Sequence, residues 1–297
     1  APPETAPPET APPGSARPAV LPPPSGGNRT DDPAGKIAIG EGSTLPPVPA
    51  LDGGEASRLP AIGAAEDSAA MPSDRPIDLY ARPFDNPAGK PVYAVILIDT
   101  GEPALDRAAL AALPFPVTFA LDPLDPEAPA RAAIYRAAGQ EVVMLATGVP
   151  RGGTASDVAV AFQTMDQALP EAVAVMDLPE RRFQADRPLA ALVVPAVGDG
   201  GRGIVSWDEG LNAADQVARR EDVPAALVFR ALDGDDESAP VIRRYLDRAA
   251  FKAVQDGQVV VVGHTRPRTV AALTEWALEG RAGTVALAPV TAVLTVE

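Results

Sequence analysis

The hydrophobic residues that follow residue 90 fall into short runs, and these runs alternate with segments of helical spacing. The first run is uncharged from Val92 to Ile98 and ends in Asp99 and Thr100. Its length and composition are typical of a strand buried on both faces. From Pro103 to Leu113, leucine and alanine recur every three or four residues, which predicts a helix.

The same alternation continues to the end of the chain. It predicts further strands at 117–121, 141–146, 172–176, 203–207, 225–232, 258–263 and 284–290. It predicts further helices at 126–138, 155–169, 209–220, 239–255 and 268–278. The run Leu189 to Val197 is apolar throughout and fits a buried helix or a strand; we favour a helix. Strand and helix in alternation indicate a mostly parallel sheet, open or closed into a barrel.

Residues 1–90 have a different composition. They contain 19 of the 35 prolines, only two aromatic residues, and an Ala-Pro-Pro-Glu-Thr repeat that begins at Ala1. Such a segment buries too little apolar surface to offset its conformational entropy. We therefore predict a disordered Pro/Ala-rich linker over 1–90 and one folded domain over 91–297. The linker is either a tether between an anchor and the domain or an inert tail.

The charge and the missing residue types restrict the partners. The net charge of −15 would repel a phosphate backbone, so no nucleic-acid partner is expected. The chain contains no cysteine, which excludes disulfides and thiolate chemistry. No run of 18 apolar residues is present, so contact with a membrane would come only through an anchor upstream of Ala1.

Two ionisable residues end predicted strands. Asp99 follows the first strand, and His264, the single histidine of the chain, follows the strand at 258–263. Because parallel strands end at the same rim, both side chains are expected there, as an active site or the remains of one. Each also has a structural interpretation: Asp99 as a helix cap or turn acceptor, and His264 as a hydrogen-bond partner of a loop carbonyl.

Basic and acidic residues near the predicted rim suggest further contacts. The arginines that follow strand ends are Arg151, Arg181, Arg182, Arg230, Arg266 and Arg268. If they converge at the mouth of a barrel, they would suit a carboxylate or an acidic glycan. The alternative is that they pair with surface acids. The cluster from Asp233 to Glu237 lacks the spacing of a calcium loop and is interpreted as a solvated acidic loop.

Four blocks of the sequence, in this order, resemble the divergent polysaccharide deacetylase family. They are 94–99, 113–120, 138–142, and 257–264 followed by Thr269, Leu273 and Trp276. The resemblance implies an α/β fold, a NodB-like distorted (β/α) barrel of about seven strands, exported to the periplasm behind an N-terminal anchor. It also implies a divalent metal such as zinc, held by aspartate and histidine, that polarises an acetamide carbonyl and activates water.

The chain departs from that family pattern at the positions that carry the chemistry. Thr100 replaces the second of two paired aspartates, Gln140 replaces a histidine, and the block 176–183 contains no histidine. A Phe-Leu-Asp block reads as 229–231, with Asp233 displaced by two residues. One histidine cannot supply an Asp-His-His ligand set in any fold.

The remaining candidate metal ligands are few. Asp99 and His264 could supply two ligands at most, so a metal is not expected. Asp177 or Glu180 could serve as a third, but Arg181 and the neighbouring Arg182 would repel a cation.

Three functional hypotheses follow. The first is a non-catalytic periplasmic domain without a cofactor, tethered to the inner membrane by a segment not present here, that binds a cell-envelope glycan or protein. The second is a metal-dependent carbohydrate N-deacetylase with an altered ligand set. The third is a structural subunit that interacts through its leader and acidic surface.

Overall fold

The structure is a computed structural model that describes residues 73–279 and 282–296. The predicted repeats and most of the predicted linker, residues 1–72, lie outside the described residues. Among the helices described, none is both long and apolar enough to cross a bilayer.

A closed parallel β-barrel forms the centre of the domain. Its strands are β1 Val92–Ile98, β2 Thr118–Leu121, β3 Glu141–Leu145, β4 Ala174–Met176, β5 Gly203–Trp207, β6 Ala225–Ala231 and β7 Gln258–His264. Neighbours in the chain are neighbours in the sheet, and β1 pairs with both β7 and β2, which closes the ring at seven strands. The predicted α/β barrel of about seven strands is confirmed. An eighth strand, β8 Ala286–Ala288, pairs with the first half of β1.

One helix, α1 Pro76–Leu79, precedes the barrel, and each strand from β1 to β7 is followed by a helix on the outside of the barrel. These helices are α2 Arg107–Ala111, α3 Ala128–Ala137, α4 Ala155–Ala168, α5 Arg187–Asp199, α6 Ala213–Arg220, α7 Ala239–Asp256 and α8 Pro267–Leu278. The apolar run at 189–197 is helical, as favoured from the sequence. Helix α2 is shorter than predicted because Asp106 caps its N-terminus by accepting a hydrogen bond from Ala109 N.

Alternate residues of each strand form two separate cores. In β1, Ala94, Ile96 and Ile98 pack inside the barrel. Tyr93, Val95 and Leu97 pack between the barrel and the helices. Both faces are therefore apolar, which explains why the strands read as continuous hydrophobic runs.

The lower end of the barrel, where the strands begin, is closed by both ends of the described chain. Ile77 of α1 packs in the inner core with Val290 and Val293 of a C-terminal 3-10 helix. Arg82 N donates to Glu141 Oε1 at 2.9 Å, at the start of β3. Residues 73–90 thus belong to the packed domain, and its start before residue 91 corrects the predicted boundary. The composition of residues 1–90, which is poor in aromatic residues, did not predict this packing, because only a few residues of the segment contact the barrel.

Candidate functional site at the barrel mouth

The tips of β1 and β7 lie side by side at the upper end of the barrel. Ile98 is in register with His264, and Thr265 N donates to Ile98 O at 2.9 Å. The predicted proximity of these strand ends is therefore present in the backbone. The two side chains nevertheless lie on opposite faces of the sheet. Asp99 follows the β1 residues that face the helices, whereas His264, like Val260 and Val262, faces the inside of the barrel.

The Asp99 carboxylate lies between the barrel and the helices. Arg107 donates to it through Nε at 2.8 Å and Nη2 at 2.9 Å, and Tyr135 donates its hydroxyl at 2.8 Å. Gly101 N donates to Oδ1 at 2.8 Å. Burial raises the pKa of Asp99, but these hydrogen bonds outweigh burial and hold the pKa below its ordinary value of 3.8. The side chain of Asp99 is 0% exposed, so both oxygens serve an internal ion pair.

Local structure fixes the partners of Asp99. Tyr135 of α3 stacks on Phe119 of β2 at 3.7 Å between ring centroids, which positions its hydroxyl. Gly101 adopts φ +78°, so the chain turns immediately after Asp99 and α2 delivers Arg107 to the carboxylate. The structural interpretation of Asp99 as a turn acceptor is therefore part of what it does. Sequence reasoning missed Arg107 and Tyr135, which no motif marks.

His264 is held by a different carboxylate. His264 Nδ1 lies 2.8 Å from Asp233 Oδ1, and Thr269 donates its hydroxyl to Asp233 Oδ2 at 2.6 Å. Burial raises the pKa of Asp233, but hydrogen bonds from His264 and Thr269 outweigh burial and lower the pKa. An ionised carboxylate only accepts, so Nδ1 carries a proton and donates it to Asp233, whereas Nε2 makes no hydrogen bond within the described residues. The His264 side chain is 26% exposed.

Asp233 does not belong to a solvated loop, and that prediction was wrong for this residue. Asp233 is 2% exposed, whereas Gly234, Asp235 and Asp236 are exposed as expected. The sequence did contain a signal, since Asp233 follows the apolar run that ends at Leu232. Asp233 is the second residue after β6, whereas Asp99 is the first after β1.

Among the described residues, neither of the two further candidate ligands, Asp177 and Glu180, contacts Asp99 or His264. Asp177 is fully buried and accepts hydrogen bonds from four main-chain amides of its own loop, those of residues 178 and 182–184. Burial raises the pKa of Asp177 above 3.8, although these amides lower it in part. Glu180 is exposed on the same loop. Asp177 therefore shapes the loop between β4 and α5.

Three of the predicted rim arginines interact with acidic segments of neighbouring loops. Arg181 pairs with Glu209, as the surface alternative expected. Arg266 donates to Asp233 O at 2.7 Å. Arg268 donates to Asp236 O at 3.0 Å.

The other three arginines differ from one another. Arg182 donates to the carbonyls of residues 147 and 149, both at 3.1 Å. Arg151 is exposed on a turn. Arg230 does not follow a strand end as predicted; it lies within β6 after a bulge, aligned with outward-facing Val261, and covers the Tyr245 ring at 4.3 Å. The six arginines therefore do not converge on one point.

Apolar side chains fill the inner core just below the rim. Ile98, Leu145, Leu178 and Trp207 are all buried there. The Trp207 indole donates to Asp177 O at 3.1 Å, which ties the large ring to the β4–α5 loop. The inside of the barrel at this level is a packed core.

The residues present do not fit the divalent metal that the family resemblance implies. In the part of the chain that the structure describes, no group of three or more histidines, aspartates or glutamates is placed to hold a metal ion. The Asp99 oxygens would have to exchange a guanidinium for the cation, and His264 could offer only Nε2, because Nδ1 donates to Asp233. A zinc site needs about three protein ligands converging on one point.

Comparisons with known proteins agree with the barrel. Residues 95–294 match the family model described as divergent polysaccharide deacetylase. An uncharacterized protein from Agrobacterium tumefaciens C58 is similar in structure, with a TM-score of 0.64 at 20% identity over 73% of this chain and 94% of that one. A family 4 carbohydrate esterase from Streptomyces lividans gives 0.50 at 13% identity over 69% and 96%. These likenesses show the fold alone. No curated protein matches the sequence.

Proposed function

Because the chain belongs to the divergent polysaccharide deacetylase family and yet its strand-tip carboxylate, Asp99, forms an ion pair with Arg107, we propose that it is a non-catalytic binding domain of the cell envelope. The observation that carries this proposal is the Asp99–Arg107 ion pair, with both oxygens engaged and no exposure to the mouth. A carboxylate in that state can neither hold a metal nor act as a base. The barrel then serves as a scaffold for loops that recognise a glycan or a protein.

A second candidate, a metal-dependent N-deacetylase with an altered ligand set, is favoured by one observation. Asp233 orients His264 and leaves Nε2 free on a partly exposed ring, as proton transfer requires. A histidine held in this way is also common in structural networks, and the Asp99 geometry supplies it with no partner for hydrolysis.

The two candidates are separated by activity and metal content. The full chain, purified and supplied with zinc, is incubated with chitohexaose, and released acetate is measured. The proposal predicts no acetate above a blank and less than stoichiometric zinc after dialysis. Acetate release that disappears in both Asp99→Asn and His264→Ala, and persists in the exposed-site control Asp256→Asn, would establish the enzyme instead.

For location, we propose a periplasmic domain tethered to the inner membrane, with residues 1–72 as the spacer. The family resemblance and the proline-rich repeats support this. Fractionation of the natural host tests it directly, and recovery in the cytosol would refute it. Co-purification with and without residues 1–72 tests the leader as the interacting part. Residues 73–90 must be kept because Ile77 and Arg82 pack on the barrel.

A further inference from the structure

The outer face of β6 is less covered than the outer faces of the neighbouring strands. Its helix-facing residues Ala225, Leu227 and Phe229 are only half-buried. On β7 the helix-facing Val259 and Val261 are buried, and β5 is buried throughout. The cause is a gap in the helical layer, because α6 packs on α5 and α7 packs on α8, and a groove separates α6 from α7. Strand β6 therefore forms the floor of an open groove, the β6 groove, on the flank of the barrel.

The floor of the β6 groove is apolar and elongated. Ala225 and Phe229 are four positions apart, which corresponds to about 13 Å along the strand. The groove has a volume of about 200 Å³. It continues past Asp208 and Leu227 into a second hollow of about 230 Å³ beside the β5–α6 loop, where Leu211 is 85% exposed. This length suits a linear chain better than a single small molecule.

The two walls of the groove carry charges that are already paired with one another. On the α6 wall, Asp215 accepts a hydrogen bond from Arg219 Nε at 3.1 Å. On the α7 wall, Lys252 Nζ lies 2.7 Å from Asp256 Oδ2. Each wall thus presents both donors and acceptors, while its charges compensate each other. A charged ligand would have to compete with these pairs, whereas an uncharged polar ligand would not.

Three further polar residues line the groove, namely Asp208, Gln258 and Thr295. Within the described ranges, none of their side chains makes a hydrogen bond or an ion pair. Asp208 offers acceptors, and the amide of Gln258 and the hydroxyl of Thr295 each offer donors and acceptors. Asp208 follows β5 at the upper end, whereas Thr295 lies at the lower end, where its main chain pairs with that of Ala225. Polar groups are therefore available along the whole length of the apolar floor.

This combination matches the chemistry of a sugar chain. A pyranose ring has an apolar face of C–H groups and a rim of hydroxyls that each donate and accept. Leu227 and the Phe229 ring offer an apolar surface to that face, and the walls offer partners to the hydroxyls. An apolar protein segment would cover the floor but would bury the polar groups of the walls without partners.

We propose that the β6 groove binds a neutral linear oligosaccharide that lies along the strand between α6 and α7. This inference rests on the proposed binding function and adds a site on the flank of the barrel. The apolar floor contacts the faces of the sugar rings, and Asp208, Gln258 and Thr295 bind hydroxyls along the chain.

The probes are chitohexaose and cellohexaose, each titrated into the full chain by calorimetry. We expect at least one to bind, with an affinity that is the same at low and high salt because the ligand is uncharged. Phe229→Leu keeps an apolar side chain and removes the ring, and it should weaken binding about tenfold. Asp208→Ala removes acceptors without breaking a hydrogen bond or ion pair of the described chain, and a similar loss is expected. Urea midpoints of the variants verify that each is folded.

Two matched variants lie outside the groove. Phe251→Leu removes a ring that is 65% exposed on α7, and Asp85→Ala removes an exposed carboxylate before β1. Both should leave the affinity unchanged. Failure of both probes to bind, unchanged affinity in both groove variants, or equal losses in groove and matched variants would overturn the proposal.

An alternating lysine–leucine octapeptide tests a protein segment as the occupant. If this peptide bound more tightly than either sugar, and Phe229→Leu abolished its binding, the groove would be assigned to a protein partner and the proposal would be wrong. Absence of sugar binding without acetate release would refute only this inference and leave the non-catalytic function intact. Acetate release from chitohexaose would refute the non-catalytic function whether or not the groove binds sugar.

Discussion

The tips of β1 and β7 are hydrogen-bonded neighbours, yet their ionisable side chains lie in opposite environments. Asp99 is closed off between barrel and helices with Arg107 and Tyr135, whereas His264 is partly exposed and keeps one nitrogen free. The parity of the strand residue decides the difference, because odd positions of β1 face the helices and even positions of β7 face the inside. The position of a residue at a strand end is therefore weaker evidence for a site than the face of the sheet on which its side chain lies.

The comparison predicts that the β1 tip, where Asp99 is buried, contributes more to stability than the β7 tip. Asp99→Asn leaves Arg107 buried without its counter-charge, and we expect the free energy of unfolding to fall by about 3 kcal/mol. Urea denaturation measures this loss. Asp256→Asn, which breaks an exposed pair with Lys252, serves as the control and should cost far less. A loss for Asp99→Asn no larger than that of the control would contradict the buried ion pair.

The same pair predicts a pH dependence. The pKa of Asp99 is lower in the folded state, so its stabilising effect is complete above the ordinary value of 3.8 and is lost as pH falls below that value. The difference in free energy of unfolding between the wild type and Asp99→Asn should shrink by up to about 1.4 kcal/mol per pH unit below this point. Urea midpoints of both proteins at pH 5, 4 and 3 test it. A constant gap would show that Asp99 does not titrate in this window.

The β7 tip, where His264 is partly exposed, is expected to contribute less to the free energy of unfolding. His264→Ala leaves Asp233 bonded to Thr269 and to the main-chain amide of residue 264, so we expect a loss of about 1 kcal/mol. The same urea experiment provides the number. If His264→Ala destabilised the fold more than Asp99→Asn, the ranking of the two tips would be reversed.

The smallest effect is expected at the rim. Glu209→Gln breaks the exposed pair with Arg181, whose side chains are 59% and 36% exposed, and should change stability by less than about 0.5 kcal/mol. Thermal melts of the two proteins, recorded side by side, check this. A clear drop in the melting temperature would mean that the β4–α5 loop depends on this pair.

The regular elements could be predicted because buried parallel strands leave continuous apolar runs. Strand β5 was placed at its observed bounds, and the strand at 258–263 was placed within one residue. The last strand was less well predicted, since only Ala286–Ala288 of the range 284–290 is extended. Its flanks form 3-10 turns, and the C-terminal one, at 290–293, helps close the lower end of the barrel.

The site was harder to predict because its contacts join residues far apart in the chain. Tyr135 reaches Asp99 across 36 positions, and His264 reaches Asp233 across 31. Arg230 was predicted to follow a strand end, but β6 continues to Ala231, and a bulge between Val228 and Arg230, which no residue type marks, sets the face on which Arg230 lies. The sequence alone predicts that the chain has too few histidines for the family's metal site. Only the structure shows which residues Asp99 and His264 contact instead.

The most direct test uses the single histidine as a reporter. In a nitrogen-detected NMR spectrum, His264 should show a protonated Nδ1, because Asp233 accepts the Nδ1 proton. Adding one equivalent of zinc should leave both nitrogen shifts unchanged. A saturating shift of Nε2 at stoichiometric zinc, abolished by Asp99→Asn, would contradict the claim that these strand tips do not form a metal site.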